Sequence, residues 1–555
     1  MKTTFTFWIL IASFSISYAQ QTVGLFQNTP ASLNGYTLFS SNRDTYLIDN
    51  CGRVVHKWTS NYTPGSSVYL LENGNLLRTA RIGGSFSGGG IGGRIELFDW
   101  DNNLLWAYNY ADTQVHQHHD IEPLPNGNFL LIAWEAHTAT EAIAKGRNPA
   151  TVGGAGLWSE QVVEIEMVGT DQINIVWEWH LWDHLIQDFD PAKENFGVIA
   201  EHPELVDINL GATGGGGPGN GSDWIHANAI NYNPELDQII LSSRHHSEVW
   251  IIDHSTTSAE AATHLGGNAG KGGDLLYRWG NPANYDRGAF ADQKLYGQHD
   301  ARWVPAGYPD AGKLMVFNNG QNRPGGNFSS VDKWAPPTDA DGAYILPTDA
   351  PFGPDDLSWT YTADPPFSMY SSNISGAQPL PNGNVLICVG RDGHFLEVSP
   401  EKEIVWEYVN PVSGNQITTQ GQQPQNNGVF RATRLPADYP AFADKDLTPG
   451  DPIELNPLPS DCEIYDGTVA VSAPAEAGAA RVVGNPVGEF ISIENPRGTP
   501  LGFALFSPTG EKLFDTILRS RQTLLPASDW PAGLLVARFF DPETGQITTQ
   551  KLIKP

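Results

Sequence analysis

The sequence predicts an all-β protein in which a six-bladed β-propeller is followed by a small C-terminal β-sandwich. Its 555 residues include 58 Gly and 40 Pro, a composition typical of short strands joined by many turns. A turn-and-strand phrase recurs around an Asn-Gly pair, a strong hairpin signal, and its clearest copies begin at Leu71, Leu124 and Leu380. Each copy runs on to a strand that carries Trp. We interpret the repeated unit as a four-stranded propeller blade.

Six Trp-bearing strands define six units. Their Trp residues are Trp58, Trp106, Trp177, Trp279, Trp359 and Trp406. The first unit, 35–58, lacks an opening strand, and we expect the spare strand at 429–434 to complete it and close the ring. Two or three stacked sandwiches are the rival all-β interpretation, but they do not explain the recurring Trp.

Changes of composition divide the chain into four segments. We assign a signal peptide at 1–19, the propeller at 20–442, a linker at 443–482 and the C-terminal sandwich at 483–555. Lys2, the apolar run that follows it and Ala19 indicate a cleaved secretory signal. A membrane anchor is the alternative, but the run is too short to span a bilayer comfortably. We therefore expect a secreted or cell-surface protein, exported through the periplasm and without a stable membrane span.

The formal charge of -30 argues against general binding of nucleic acid or anionic membranes, because both need a basic face. An anion is expected to bind only in a local pocket of Arg, His and backbone N–H groups. Of the three cysteines, Cys388 lies in an apolar strand and is expected to be a core residue. A bridge between Cys51 and Cys462 is a hypothesis that export allows.

Three histidines occupy comparable places in successive units. His119 lies seven residues before the Asn-Gly of its repeat, and His226 and His299 stand at similar positions in the next two units. The first strand of each blade lines the central channel of a propeller, so we expect these imidazoles at the channel mouth. Three meanings stay open: a zinc site, an oxyanion site with one His as nucleophile, or structural hydrogen bonding.

Nearby Arg and Asn residues favour the oxyanion. Arg244 follows His226 by 18 residues, and Arg323 lies near a comparable place, as do Arg391 and Arg431. Arg does not ligate metals, whereas its planar fork suits sulfate or phosphate. Asn228 adds a neutral donor two residues from His226. Whether Asp120 and Asp300 orient the neighbouring imidazoles or merely end turns stays open.

Residues 223–229 (DWIHANA), 242–245 (SSRH) and 297–301 (GQHDA) resemble the bacterial arylsulfate sulfotransferase family. The resemblance implies a six-bladed propeller that moves a sulfuryl group from a phenolic sulfate ester to a phenolic acceptor, without a nucleotide donor or other cofactor. It implies that His299 is the nucleophile and becomes transiently sulfated. It further implies that the sulfuryl oxygens are bound by His119, His226, Asn228 and Arg244.

The C-terminal segment resembles the sorting domain of type IX secretion, on residues 485–487 (NPV), 507–512 (SPTGEK) and the ending KLIKP. This implies the type IX machinery as a partner; an ordinary accessory sandwich is the alternative. Two other functions stay open for the propeller. One is a non-catalytic surface protein that binds sulfated glycans or proteins, and the other is a metal-dependent hydrolase that uses the three histidines.

Overall fold

The computed structural model describes residues 21–211 and 222–465, together with 481–483, 490–495, 499–507, 512–528, 530–531, 533–540 and 547–554. The expected signal peptide and the 485–487 motif lie outside the described residues. The protein is all-β, and its described residues divide into two compact units. The first contains the described residues of 21–305, together with 312–379 and 384–465. The second contains 306–311, 380–383 and the described residues from 481 onward. None of the described helices is both apolar and long enough to cross a membrane.

The first unit is built from short strands with two short helices between them. The helices are α1 (Ala139–Ala144) and α2 (Ser258–Ala261). The strands are β1 (Gly24–Asn28), β2 (Gly35–Ser41), β3 (Asp44–Asp49), β4 (Val54–Thr59), β5 (Pro64–Leu70), β6 (Leu76–Arg81), β7 (Gly93–Phe98), β8 (Leu104–Asn109), β9 (Val115–Pro123), β10 (Phe129–His137), β11 (Leu157–Val168), β12 (Gln172–His180), β13 (Leu185–Ile186), β14 (Val206–Asp207), β15 (Ala227–Asn233), β16 (Gln238–Ser243), β17 (Glu248–Asp253), β18 (Tyr277–Trp279), β19 (His299–Trp303), β20 (Leu314–Asn318), β21 (Ser330–Trp334), β22 (Trp359–Tyr361), β23 (Gly376–Pro379), β24 (Val385–Val389), β25 (His394–Val398), β26 (Ile404–Val409), β27 (Val412–Ser413), β28 (Gln416–Ile417) and β29 (Ala432–Pro436).

Most of these strands form antiparallel four-stranded meanders. Their orders are β29-β2-β3-β4, β5-β6-β7-β8, β9-β10-β11-β12, β15-β16-β17-β18, β19-β20-β21-β22 and β23-β24-β25-β26, and β1 adds a fifth strand beside β26. A single parallel pairing, Ser66 with His119, joins the second and third meanders. Opening strands of consecutive meanders touch: β5 contacts β9, β9 contacts β15, β15 contacts β19, and β23 contacts β29.

The six predicted Trp residues all lie on the last strand of a meander. Each indole N–H donates to the following meander in chain order, and the sixth donates back to the first. The acceptors are Asp99 O for Trp58, Gln172 O for Trp106, Thr256 Oγ1 for Trp177, Pro354 O for Trp279, Pro400 O for Trp359 and Asn50 O for Trp406. Buried indole N–H groups need such partners, so the recurring Trp ties each sheet to the next.

The expected closing strand is present as β29 and pairs antiparallel with β2, from Gly35 opposite Pro436 to Phe39 opposite Ala432. It begins three residues later than the sequence pattern suggested. Residues 443–465, which we expected to belong to a linker, remain part of the first unit, and a disulfide joins Cys51 to Cys462 there. Cys388 is a free, buried thiol, as predicted.

The second unit contains two antiparallel sheets. Its strands are β30 (Arg481–Val483), β31 (Phe490–Glu494), β32 (Leu501–Phe506), β33 (Lys512–Leu518), β34 (Gln522–Pro526), β35 (Gly533–Phe540) and β36 (Ile547–Lys554). The sheet orders are β30-β31-β34 and β33-β32-β35-β36. Apolar residues of both sheets, among them Ile493 and Phe503, share one core, which is the packing of a β-sandwich.

Candidate active site

Three histidines from consecutive meanders come together in the first unit. His119 lies in β9, His226 directly precedes β15, and His299 opens β19. The rings of His119 and His226 meet edge to face with centroids 4.6 Å apart. His299 lies close to both rings. The nearby His226 lowers the pKa of His299, and His299 in turn lowers the pKa of His119. The three side chains are almost fully buried.

An irregular backbone presents these imidazoles. His119 and His226 have φ of 50° and 55°, and Asp300, next to His299, has φ of 58°. The register of all three opening strands shifts at these points. Left-handed φ is uncommon outside Gly, and a β-bulge turns a side chain away from the regular alternation of its strand. The same local irregularity therefore aims a side chain in three successive meanders.

Each imidazole is held through Nδ1 by a polar partner. The partner atoms are His118 Nδ1 for His119 at 2.8 Å, Asp223 Oδ2 for His226 at 2.5 Å and Asn319 Oδ1 for His299 at 2.7 Å. The hydrogen bond made at Nδ1 sets the tautomer of an imidazole. These partners therefore decide whether each Nε2 presents a lone pair or an N–H group to a ligand.

The protonation state of His299 follows from its neighbours. Asn319 Nδ2 donates to Ser371 O at 2.7 Å and Ile374 O at 3.0 Å, so the amide oxygen must face His299 Nδ1, which carries the proton. The N–H of Ile374 donates to His299 Nε2 at 3.1 Å, which requires a lone pair there. Burial, together with the charge of Arg244, holds the pKa of His299 well below its ordinary value. His299 is therefore a neutral imidazole whose Nε2 carries the lone pair.

Of the other predicted site residues, Arg244 adjoins the imidazoles. It follows β16, its Nη2 donates to Gln321 Oε1 at 3.1 Å, and its charge lowers the pKa of both His119 and His299. Asn228 is buried and donates to the carbonyl of Gln298, the residue before His299, at 2.8 Å. Its Oδ1 has no hydrogen-bond partner within the described part of the chain.

Arg323 points elsewhere. Its Nη2 donates to Ser330 Oγ at 2.9 Å, and its guanidinium lies 4.5 Å from the ring centroid of Phe328. No contact within the described residues joins it to the three imidazoles. Arg391 likewise makes its hydrogen bond elsewhere, from Nη1 to Ser372 Oγ at 3.0 Å.

Asp120 and Asp300 pair with Arg431 rather than with the imidazoles beside them. Arg431 Nη2 lies 2.8 Å from Asp120 Oδ2, and its Nε lies 2.9 Å from Asp300 Oδ1. All three side chains are buried. Arg431, which precedes the closing strand, thus pairs with carboxylates from the third and fifth meanders, and its charge is neutralised there.

Sequence reasoning missed three supporting residues, Asp223, Asn319 and Glu160. Asp223 and Asn319 hold two of the imidazoles, and Glu160 Oε2 lies 2.8 Å from Nε2 of His118, the neighbour that holds the third. Signals for them exist: Glu160 is a charged residue inside a buried strand, and Asn319 follows the second strand of its meander as Arg244 does. Neither signal says which side chain it meets.

The family model for arylsulfotransferase (ASST) matches residues 25–431. The chain belongs to the arylsulfotransferase family. This confirms the family resemblance predicted for the main part of the chain; the type IX resemblance stays a prediction. No curated relative matches this chain.

Among solved structures, this arylsulfotransferase-family protein is similar to three chains at low identity. They are a protein of unknown function from Bacteroides caccae (11% identity, 72% of this chain and 99% of that chain, TM-score 0.38), the periplasmic gluconolactonase PpgL of Pseudomonas aeruginosa (12%, 73% and 100%, 0.37) and a streptogramin B lyase (12%, 74% and 88%, 0.33).

A glycine-rich loop covers two of the imidazoles in this arylsulfotransferase-family protein. A Cβ on Gly90, which has φ of 70°, would lie 2.1 Å from His119 Nε2, and one on Gly89 would lie 3.3 Å from His226 Cε1. Gly90 O also accepts the N–H of His119 at 2.7 Å. The loop can lie this close to the imidazoles only because it lacks side chains.

Two groups of described residues bring three potential metal ligands within 4.8 Å of one another. They are Asp223, His226 and His245, and the distant set His184, His264 and Asp274. The predicted trio of His119, His226 and His299 is not such a group within the described chain. In both groups that are present, His and Asp atoms are already within hydrogen-bond distance.

Proposed function

We propose that this protein is an exported aryl-sulfate sulfotransferase. It transfers a sulfuryl group from a phenolic sulfate ester to a phenolic acceptor through a sulfohistidine at His299, without a nucleotide donor or other cofactor. Family membership supports aryl-sulfate chemistry. The Trp hydrogen bonds that run from sheet to sheet and return to the first support our assignment of the six meanders to propeller blades.

The observation that carries this proposal is the neutral, fixed imidazole of His299. Its Nε2 lone pair attacks sulfur, the S–O bond to the aryl group breaks, and the electron pair leaves with the phenolate. In the second half-reaction an acceptor phenol oxygen attacks sulfur, and the N–S bond pair returns to Nε2. Attack requires that Nε2 give up the N–H of Ile374, a hydrogen bond with a net value of about 1 kcal/mol.

The groups around His299 match the charges of this reaction. Arg244, His119 and Asn228 are the proposed ligands of the sulfuryl oxygens, Asn228 through the Nδ2 hydrogen that is not used by Gln298 O. Fixed donors of this kind stabilise the transition state. Arg323 can take part only if its side chain leaves Ser330.

We assign proton transfer to and from the phenol oxygens to His226. Burial opposes ionisation of Asp223, but the adjacent His226 outweighs it, and the pKa of Asp223 is lowered to about 2. A carboxylate at Nδ1 stabilises the imidazolium that forms on the general acid.

The decisive experiment measures release from a chromogenic aryl sulfate with and without added phenol, in the absence of nucleotide. We expect release that depends on the acceptor, and a sulfated His299 peptide when the acceptor is withheld. His299→Ala should lower the rate at least about 10³-fold, as loss of a nucleophile does elsewhere. His394→Ala, which removes a partly exposed pair with Glu407, is the matched control.

Other outcomes identify other functions. Saturable binding of sulfated ligands without turnover, indifferent to His299→Ala, means a binding protein. Activity lost to chelator, with stoichiometric bound metal, means a metal-dependent hydrolase.

Export rests on the N-terminal and C-terminal sequence patterns. We propose cleavage after Ala19 and delivery by the type IX machinery to the cell surface or medium. N-terminal sequencing of protein recovered from cell fractions tests both steps. An uncleaved chain retained in the cytoplasm contradicts them.

A further inference from the structure

A continuous chain of buried polar groups leads away from His119. Glu160 Oε2 lies 2.8 Å from His118 Nε2, and His118 Nδ1 lies 2.8 Å from His119 Nδ1. Glu160, His118 and His119 are at most 2% exposed. Trp134 stacks on His118 at 4.1 Å between ring centroids, which fixes the orientation of the middle ring.

Counting protons leaves only two neutral-imidazole arrangements. If Glu160 is a carboxylate, it accepts Nε2–H of His118; His118 Nδ1 then accepts Nδ1–H of His119, and His119 Nε2 bears a lone pair. If Glu160 is protonated, every hydrogen bond reverses, and His119 Nε2 carries a proton. One proton on Glu160 therefore decides whether His119 repels or binds a sulfuryl oxygen.

The surroundings of Glu160 favour the protonated form. Burial, and to a smaller extent the nearby Asp223, raise the pKa of Glu160 well above its ordinary value. The hydrogen bond from the backbone N–H of Ala227 and the charge of His226 lower this pKa, but they do not outweigh the burial. Asp223, by contrast, stays ionised through its contact with His226. Two neighbouring carboxyls with pKa values driven apart commonly divide acid and base roles between them. The other titratable group in contact with Glu160 is His118.

We propose that Glu160 is a positioning residue that, protonated and acting through His118, fixes His119 in the tautomer whose Nε2–H donates to the sulfuryl group of the donor ester. The inference rests on the proposed function and adds to it the control of one ligand of the sulfuryl oxygens. Glu160 touches no reacting atom. Its loss acts only through His119.

The position of Ala227 makes a sharp test available. Its N–H donates to Glu160 Oε1 at 2.8 Å, so in Glu160→Gln the amide oxygen stays there and the NH₂ group faces His118 as a permanent donor. Glu160→Gln should keep kcat/KM within about threefold of wild type, whereas Glu160→Ala should lose about 10- to 100-fold, as supporting residues of other sites do. Glu166→Ala, at an exposed position of the same strand, is the control.

Two readouts separate positioning from a merely structural role. First, if ionisation of Glu160 causes an alkaline limb in the pH profile of kcat/KM, that limb must vanish in Glu160→Gln. Second, the double variant Glu160→Ala with His119→Ala must be little less active than His119→Ala alone. Equal impairment of the Gln and Ala variants, full activity of Glu160→Ala, or an unchanged alkaline limb overturns the proposal.

Failure of the proposed function is distinguishable, because then the wild type itself transfers no sulfuryl group. In that case ¹⁵N shifts of the His119 imidazole test the tautomer without turnover. A protonated Nε2 in wild type and Glu160→Gln supports the proposal, and an unprotonated Nε2 in wild type refutes it.

Discussion

Three identical side chains acquire different chemistry from their neighbours at Nδ1. The amide oxygen of Asn319 accepts Nδ1–H of His299 and leaves a lone pair on Nε2, whereas a carboxylate oxygen of Asp223 faces Nδ1 of His226. His118 links the third, His119, to a buried acid. At the scale of the residue, function here depends on the partner of each imidazole as much as on the imidazole.

Asp223→Asn tests the acid assigned to His226. Trp134 Nε1 donates to Asp223 Oδ1 at 3.1 Å, so the new amide presents its NH₂ group to His226 Nδ1, and the imidazolium loses its counter-charge. We expect kcat to fall about 10²- to 10⁴-fold, the usual contribution of general acid catalysis. The loss should be larger for phenyl sulfate than for nitrophenyl sulfate, because nitrophenolate needs less help to leave. A loss that does not depend on the leaving group would contradict the assignment.

At the scale of the element, the bulged opening strands and the loop at Gly88–Gly90 shape the site together. The bulges depart from the regular alternation of side chains at the imidazoles, and the loop packs closely over His119 and His226 because it carries no side chains. The positions of the imidazoles therefore depend on the backbone of the loop as well as on the backbone of the strands.

Gly90→Ala should impair the proposed site without unfolding the protein. The added Cβ would meet the ring of His119 at 2.1 Å in a backbone conformation with φ of 70°, so loop or ring must move. We expect kcat/KM to fall by about tenfold or more, since misplacement of about 1 Å is costly, and the unfolding midpoint to change little. Gly83→Ala in the same loop, where a Cβ would meet nothing within 4 Å, should behave like wild type. Equal activity of the two variants would show that the loop does not constrain His119.

At the scale of the whole first unit, stability depends on closure. The closing strand β29 completes the first meander, Trp406 of the last meander bonds Asn50 of the first, and Arg431 reaches carboxylates of two other meanders. These contacts join residues more than 100 positions apart, so they form only when the first and last meanders have come together.

Arg431→Met removes the charge but keeps an apolar stem. Asp120 then remains buried without a cation, whereas Asp300 keeps its ion pair with Arg302. Breaking a buried pair of this kind costs about 3–5 kcal/mol. The free energy of unfolding in urea should fall by this amount. Arg391→Ala, which removes an exposed side chain that donates to Ser372, should stay close to wild type. A drop below about 1 kcal/mol would mean that the carboxylates find other partners.

The sequence by itself determined the all-β class, the six Trp-bearing strands, the closing strand and the family, because these depend on local pattern: turn dipeptides, apolar runs and motif spacing. It also singled out His119, His226, His299 and Arg244, since repeats of one unit place equivalent residues at equivalent sites. Only the tertiary structure decided that Asn319, Asp223 and Glu160 hold the imidazoles, that Arg323 turns aside and that Asp120 and Asp300 pair with Arg431. Those are contacts between strands, and strand periodicity assigns a residue to a face without saying which side chain from another sheet will meet it.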